Sequence, residues 1–109
     1  MKKLFFDKVY KDQILSGRKT TTVRKGHRKD FKEGDVVEII CGKESLGLAY
    51  IEKIEYKKLK DLTREDAVSD GFSSRRKLKE ALKKYYKDIN SETDVTIIYF
   101  KRIKGSRNV

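Results

Sequence analysis

The sequence predicts an α+β fold, in which a small, mainly antiparallel sheet curls into a barrel with helices at its rim. Hydrophobic periodicity, turn residues and capping patterns give the element order β-α-β-β-β-α-α-β. Consecutive strands lack the spacing of crossover helices that parallel pairing needs, which favours antiparallel neighbours. The 109 residues suffice for one domain. We expect it to span residues 1–104, followed by a basic tail at 105–109.

The N-terminal third predicts a strand, a helix and a second strand. KLFF is typical of a short strand, and Asp7 is placed to cap a helix that runs through Leu15. Gly17 follows where a left-handed residue ends many helices. The β-branched run TTTVR then predicts a strand, and a polar loop leads to the turn Glu33-Gly34-Asp35 before VVEII.

The remainder predicts one long strand, two helices and a closing strand. The long strand covers residues 45–59, and the odd spacing of Ile51 and Ile54 predicts a bulge between them. Thr63-Arg-Glu-Asp66 is a capping box for a short helix that Gly71 should end. Ser73 or Ser74 is placed to cap a longer helix, and DVTIIYFKRI predicts the last strand.

The net charge of +11 is concentrated in three segments. Residues 17–29 and 73–87 each carry +6, and residues 101–107 carry +4, so the rest of the chain is acidic. Such concentration favours a face that binds a polyanion, although a solvated surface with many charges is the alternative. The lysine and glutamate content is typical of proteins from hot environments. Arg75, Arg76 and Lys77 lie at the start of the helix that Ser73 or Ser74 caps. Their charges oppose the dipole of that helix, which indicates that they face a ligand.

Several function classes are disfavoured by composition. Cys41 is the single cysteine and His27 the single histidine, so we expect no disulfide, no metal site and no cofactor. The N-terminus lacks the pattern of a signal peptide, and no window is apolar enough for a membrane span. These features predict a cytoplasmic protein.

The stretch ILSGRKTTTVR holds the candidate site. On a regular strand Thr20, Thr22 and Arg24 share one face, while Lys19 points the other way. Two hydroxyls and a guanidinium suit a phosphate or carboxylate, although an ordinary polar strand face is an alternative. Lys19 can act as the base for a nucleophilic Thr22 only if it lies in the turn after Gly17. Asp70 is the acid best placed to orient that lysine, unless it is a plain turn residue.

The runs ILSGRKTTTVR, FKEGDVV, LTREDAVSDGF and VTIIYF together resemble the ASCH domain family of the PUA-like class. The resemblance covers nearly the whole chain in order and implies RNA binding beside the Gly-Arg-Lys-Thr block. Members of similar length include amidohydrolases that remove the acetyl group of N4-acetylcytidine. Their catalytic lysine, threonine and glutamate fall on Lys19, Thr22 and Asp70. Because Asp70 is one methylene shorter than glutamate, Asp66 and Glu65 are alternative acids.

Two interpretations remain open from the sequence. In the first, a basic cleft around Lys19–Arg24 binds RNA or a modified cytidine nucleoside. In the second, the same cleft is an N4-acetylcytidine amidohydrolase that uses Lys19, Thr22 and Asp70 and needs no metal. The predicted substrate- or RNA-binding residues are Gly17, Arg18, Thr20, Arg24, Lys25, Arg28, Arg75, Arg76 and Lys77.

Overall fold

The computed structural model describes residues 1–105 and contains one five-stranded sheet with the strand order β1-β3-β4-β5-β2. The strands are β1 (Lys2–Phe6), β2 (Thr21–Lys25), β3 (Val36–Cys41), β4 (Glu44–Lys58) and β5 (Asp94–Arg102). β1 pairs with β3 in parallel, and the other three pairings are antiparallel. The predicted tail at 105–109 lies outside the described residues beyond Gly105.

The helices are short and lie between the strands as predicted. They are α1 (Lys11–Leu15), α2 (Arg64–Ser69) and α3 (Arg75–Tyr85), with 3₁₀ turns at Lys8–Tyr10 and Leu59–Asp61. The predicted helix from Asp7 is therefore a capped 3₁₀ turn that continues into α1. Within residues 1–105, no helix is long and apolar enough to cross a membrane.

The sheet is a half-barrel, which confirms the predicted curling of the sheet but not its full closure. β1 and β2 are its two edges, and no ladder joins them among the described residues. Arg24 instead spans the seam, because its Nη2 donates to the Phe5 carbonyl oxygen at 2.5 Å. The parallel pairing of β1 was not foreseen, since the alternation of KKLFF is the same for either strand direction.

β4 curls the sheet because it pairs with two different strands along its length. Its first half pairs with β3 and its second half with β5. The register with β5 shifts between Ile51 and Lys53, which confirms the predicted bulge. A bulge bends its strand and increases the local twist, so the edges of the sheet are brought toward each other.

The ends of α2 confirm the predicted caps and fix the position of Asp70. Thr63 Oγ1 accepts from the Asp66 amide at 3.1 Å, and Asp66 Oδ2 accepts from the Thr63 amide at 2.9 Å. At the other end, Gly71 has φ +90°, and the amides of Gly71 and Phe72 donate back into the helix in a Schellman arrangement. Asp70 is thereby held at the last turn of α2.

The core consists of two hydrophobic clusters. The first joins α1 to β1, β3 and the adjoining parts of β4 and β5, and it includes Leu4, Phe6, Ile39 and Phe100. The second packs α2 and α3 against the other half of the sheet; it contains Val23, Leu59, Leu62, Ala67, Leu78, Leu82, Val95 and Ile97. The candidate site lies where these clusters meet.

Candidate functional site

A cavity of about 380 Å³ lies between the open edge of the sheet and α3. It is bounded by side chains of both hydrophobic clusters and by four of the residues that the sequence singled out, Lys19, Thr22, Arg24 and Asp70. The lining residues are Phe5, Phe6, Asp7, Tyr10, Lys19, Thr22, Val23, Arg24, Asp70, Phe72, Leu78, Ala81, Leu82, Tyr85 and Tyr86. We refer to this cavity as the pocket.

Lys19 lies in the turn after Gly17, as its proposed role requires. Gly17 has φ +81°, a left-handed conformation that glycine adopts at little cost. The Lys19 amide donates to the Gln13 carbonyl at 3.0 Å, and the Thr20 amide donates to Ser69 at 2.8 Å. These bonds fasten the turn to α1 and α2 before β2 begins at Thr21. The Lys19 side chain therefore enters the pocket and is only 4% exposed.

Lys19 forms a buried ion pair with Asp70. Its Nζ donates to Asp70 Oδ1 and, at 3.0 Å, to the main-chain carbonyl of the same residue. The end of α2 brings the backbone of Asp70 within hydrogen-bond distance of Lys19. The aspartate side chain therefore reaches the ammonium group although it is one methylene shorter than glutamate. The alternative acids are placed elsewhere, since Asp66 is bound by Lys57 at 2.7 Å and Glu65 is exposed.

Three aromatic rings surround the ammonium group of Lys19. Nζ lies 4.7 Å from the ring centroid of Tyr10, 5.8 Å from that of Phe72 and 5.9 Å from that of Phe6. Ring faces attract a cation within about 6 Å and exclude water from it. The ion pair thus sits in a largely apolar enclosure.

Burial favours the neutral form of both members of the pair, so it changes the pKa of each. It raises the pKa of Asp70 to about 6, against the opposing effect of the Lys19 charge. Burial also lowers the pKa of Lys19; the charge and hydrogen bond of Asp70 oppose this, and the nearby Arg24 charge adds to it. A proton can therefore move between Lys19 and Asp70 at a smaller cost than between exposed groups.

Thr22 and Arg24 share a face of β2, as predicted. Arg24 Nε donates to Thr22 Oγ1 at 2.9 Å, and the guanidinium carbon lies 5.2 Å from the Phe6 ring centroid. Thr20 does not share that face, because it precedes the strand and is exposed. Within residues 1–105, no direct hydrogen bond joins Lys19 to Thr22, although both line the pocket. The pocket thus brings together the three predicted catalytic side chains and Arg24.

Two of the predicted binding cations are neutralised by carboxylates outside the pocket. Lys25 Nζ lies 2.8 Å from Asp88, and Arg28 forms a two-pronged contact with Asp30 at 3.1 and 2.8 Å. Each cation therefore has a carboxylate that competes with an incoming phosphate.

The remaining predicted binding residues lie in two other places. Gly17 and Thr20 line a second groove on the far side of the turn, with Arg18 exposed beside them. Arg75, Arg76 and Lys77 are exposed in the first turn of α3, whereas the pocket lining from α3 begins at Leu78. A role for these residues in binding stays a prediction.

The sequence did not reveal a polar chain at the pocket rim. Tyr85 OH donates to Asp7 Oδ2 at 3.2 Å and lies 3.4 Å from Tyr10 OH. Burial raises the pKa of Tyr10, and the hydrogen bond to Tyr85 adds to this. Helical spacing could not indicate these contacts of Tyr85, because it does not show which residues lie opposite α3.

Cys41 and His27, the single cysteine and the single histidine, lie in different parts of the fold. Among residues 1–105, no three side chains of the His, Cys, Asp or Glu type lie together in a group that could hold an ion. Cys41 is buried, and its Sγ contacts the Asp7 carbonyl at 3.3 Å. The His27 ring contacts the Tyr56 ring at a tilt of 57°, with ring centroids 4.9 Å apart.

Residues 1–105 form a half-barrel sheet with a pocket at its open edge, in which a few polar side chains lie among aromatic and aliphatic ones. The family model of the ASCH domain matches residues 2–104. The chain therefore belongs to the ASCH domain family, whose members generally bind RNA. Its assignment to the PUA-like class stays a prediction.

The fold is similar to solved structures of low sequence identity. The ASCH domain from Lactobacillus crispatus JV V101 superposes with a TM-score of 0.77 at 14% identity, over 89% of this chain and 78% of that chain. The ASCH protein from Zymomonas mobilis gives a TM-score of 0.66 at 17% identity, over 92% and 67%. A protein from Enterococcus faecalis V583 gives 0.69 at 18%, over 93% and 79%. No curated protein matches the chain.

Proposed function

We propose that the pocket binds one pyrimidine base, presented by RNA or by a modified cytidine nucleoside. The observation that carries this proposal is a cavity with aromatic walls whose available polar groups are mainly hydrogen-bond donors. Its volume of about 380 Å³ falls within the range of ~300–1,000 Å³ that small-ligand sites occupy.

The donors favour a base edge rich in acceptors. Lys19 and Arg24 carry only N–H donors, and the Thr22 hydroxyl can also donate. Of the two carboxylates in the lining, Asp70 is engaged by Lys19, and Asp7 accepts from Tyr85 at the rim. Cytosine presents O2 and N3 as acceptors, and acylation of its N4 amine replaces one donor with a further acceptor. An acylated cytosine therefore matches the pocket better than cytosine does.

The aromatic side chains can hold the base by its faces. Phe72, Tyr85 and Tyr86 come from the connection before α3 and from its last turn, opposite Phe6 on β1. Stacking of a base on an aromatic ring contributes about 1–3 kcal/mol and tolerates many base identities. The walls thus supply affinity, while the donors supply selectivity.

Removing one aromatic wall should weaken nucleoside binding. We expect Tyr86→Leu to raise the Kd for N4-acetylcytidine by about 10-fold, since one stacking contact is lost. Isothermal titration of N4-acetylcytidine, cytidine, uridine and adenosine measures the effect and the order of affinity. Tyr56→Leu is the matched control, because Tyr56 is exposed on β4 outside the pocket. Absence of binding by any of these nucleosides would reject the proposal.

The second candidate function is hydrolysis of the acetyl amide of N4-acetylcytidine. The observation that favours it is the presence of Thr22 in one pocket with a buried lysine–carboxylate pair whose pKa values are shifted toward neutrality. Perturbed titratable groups in a cleft are typical of catalytic sites. Asp70 can take the proton of Lys19 and leave a neutral amine that acts as a base.

The reaction would proceed through an acyl-threonine. Lys19 turns from Asp70 toward Thr22 and accepts the hydroxyl proton while Oγ1 bonds to the acetyl carbon. The C–N bond then breaks, and the proton passes from Lys19 to the N4 nitrogen, so that cytidine leaves. Water adds to the acetyl ester and gives a proton to Lys19, which passes it to Thr22 Oγ1 as the bond between that oxygen and the acetyl carbon breaks; the acetic acid formed leaves as acetate and a proton. The Arg24 guanidinium stabilises the negative charge that develops on oxygen.

Loss of the threonine hydroxyl should abolish this activity. We expect Thr22→Ala to lower kcat for N4-acetylcytidine by at least about 10³-fold, because the nucleophile is absent. Chromatography of released cytidine measures the rate. Ser91→Ala, which removes a hydroxyl from the exposed loop before β5, is the control. Equal rates for wild type and Thr22→Ala would rule out the acyl-threonine, and no turnover by wild type would rule out this substrate.

A further inference from the structure

A second groove of about 480 Å³ lies on the other side of the turn that carries Lys19. It runs between that turn, the bulge of β4 and the end of β5. Its polar lining includes Thr20, Glu52, Lys101 and Arg102. Lys19 is the one residue that this groove shares with the pocket, so the two cavities can be altered separately.

Three cations at this groove, Lys101, Arg102 and the neighbouring Arg18, have no carboxylate partner among residues 1–105, whereas Lys19 in the same lining is paired with Asp70. Lys101 is exposed, and Arg18, beside the groove, makes one hydrogen bond, from Nε to Ser16 Oγ at 3.2 Å. By contrast, Lys25 and Arg28 are paired with aspartates. An unpaired cation can bind a phosphate without first releasing a carboxylate.

Arg102 shows a deficit of acceptors at the same place. Its Nη2 donates to the Leu46 carbonyl at 3.2 Å, while its buried Nε has no acceptor in the structure. A guanidinium carries five N–H donors; with the Nε donor buried and one Nη2 donor bonded to Leu46, those of Nη1 and the second of Nη2 are the ones left for an anion. Thr20, exposed in the same lining, adds a hydroxyl. Glu52 is the single acid in the lining, so the local charge stays positive.

We propose that this groove binds a backbone phosphate of a single-stranded RNA, with Lys101, Arg102 and Arg18 as the cations and Thr20 as a neutral donor. The inference rests on the proposal that the pocket ligand belongs to RNA. It adds a phosphate site that is separate from the pocket and that the backbone of the turn at 17–20 divides from it. Phosphate contacts position a nucleic acid and supply much of its affinity, while the base contact selects.

The test compares two double variants of equal charge. Arg18→Gln with Lys101→Gln removes two groove cations, and Lys3→Gln with Lys43→Gln removes two exposed cations remote from the groove. The probe is a fluorescein-labelled single-stranded RNA of 12 nucleotides, titrated between 50 and 300 mM NaCl. We expect the groove variant to reduce the slope of log K against log salt by about 0.7 per lost contact. At 0.1 M salt this corresponds to about a 5-fold loss of affinity per contact.

A second measurement separates this inference from the proposed function. N4-acetylcytidine carries no phosphate, so its affinity should be the same for wild type and the groove variant. Equal losses of RNA affinity in the two double variants would overturn the phosphate site, because only overall charge would then matter. No RNA binding by wild type at 50 mM NaCl would also overturn it, whether or not the nucleoside binds in the pocket.

Discussion

Replacing Lys19 with methionine is expected to lower the free energy of unfolding by about 3–5 kcal/mol at pH 8, because it leaves the Asp70 carboxylate buried without its partner. Methionine has nearly the length of lysine and fills the space among the aromatic rings, so the loss reports the charge and little else. Urea denaturation monitored by tyrosine fluorescence or circular dichroism measures it.

The loss should shrink as the pH falls. Burial raises the pKa of Asp70 to about 6 in the folded protein, above the ordinary value of about 3.9 for an unfolded chain. A raised folded pKa gives stability that is present at low pH and is lost as the pH rises through that pKa. Without Lys19 the pKa of Asp70 rises further. The Lys19→Met protein should therefore be closer to wild type at pH 5 than at pH 8.

Two comparisons identify the buried pair as the cause. Lys60→Met breaks a surface pair with Glu92, whose side chains are half exposed, and should change stability little. The double variant Lys19→Met with Asp70→Leu removes both charges and should recover much of the loss, since apolar replacements of buried pairs are often tolerated. A Lys19→Met protein as stable as Lys60→Met at pH 8 would contradict the expected cost.

Arg24→Met is expected to cost about 3 kcal/mol of stability. The substitution removes charge-assisted hydrogen bonds to the Phe5 carbonyl and to Thr22 Oγ1, each worth about 1.5–3 kcal/mol before relaxation. Since the bond to Phe5 is a link between the two sheet edges, amide exchange in β1 should accelerate more than exchange in β4 or β5. Urea denaturation and hydrogen exchange measure the two effects.

The control for Arg24 is Arg64→Met, which removes an exposed arginine from the start of α2. It should alter neither stability nor exchange in β1 appreciably. Arg24→Lys keeps the charge but loses the planar fork, so it should fall between wild type and Arg24→Met. Uniform acceleration of exchange across all strands of Arg24→Met would show that the arginine does not act at the seam.

Local patterns predicted most of the fold, because each depends on residues close in sequence. The capping box at Thr63, the glycine stops at Gly17 and Gly71, and the bulge after Ile51 are all present. Strand direction and closure depend on long-range pairing instead. The parallel partner of β1 and the open seam between β1 and β2 could not be read from either strand.

The sequence likewise predicted the parts of the site that depend on neighbouring residues, and it did not predict the contacts that depend on long-range packing. Gly17 placed Lys19 in a turn, and alternation on β2 placed Thr22 with Arg24. The contact of Lys19 with the Asp70 carbonyl depends on where α2 ends in space, which side-chain length alone did not indicate. Lys25 is paired with Asp88, which only the folded chain brings near it, and Arg28 with Asp30, which lies just outside the 17–29 segment. Charge counts therefore overstated the free cations of that segment.

The position of the pocket between the two hydrophobic clusters bears on how the protein opens. Phe6 and Tyr10 belong to one side, and Leu78 and Leu82 to the other, so an occupant contacts both. Opening of either cluster in the empty protein removes part of the pocket lining. An occupant is lost when either cluster opens, which makes both openings more costly by the same binding free energy. Ligand binding is therefore expected to couple the opening of the two clusters.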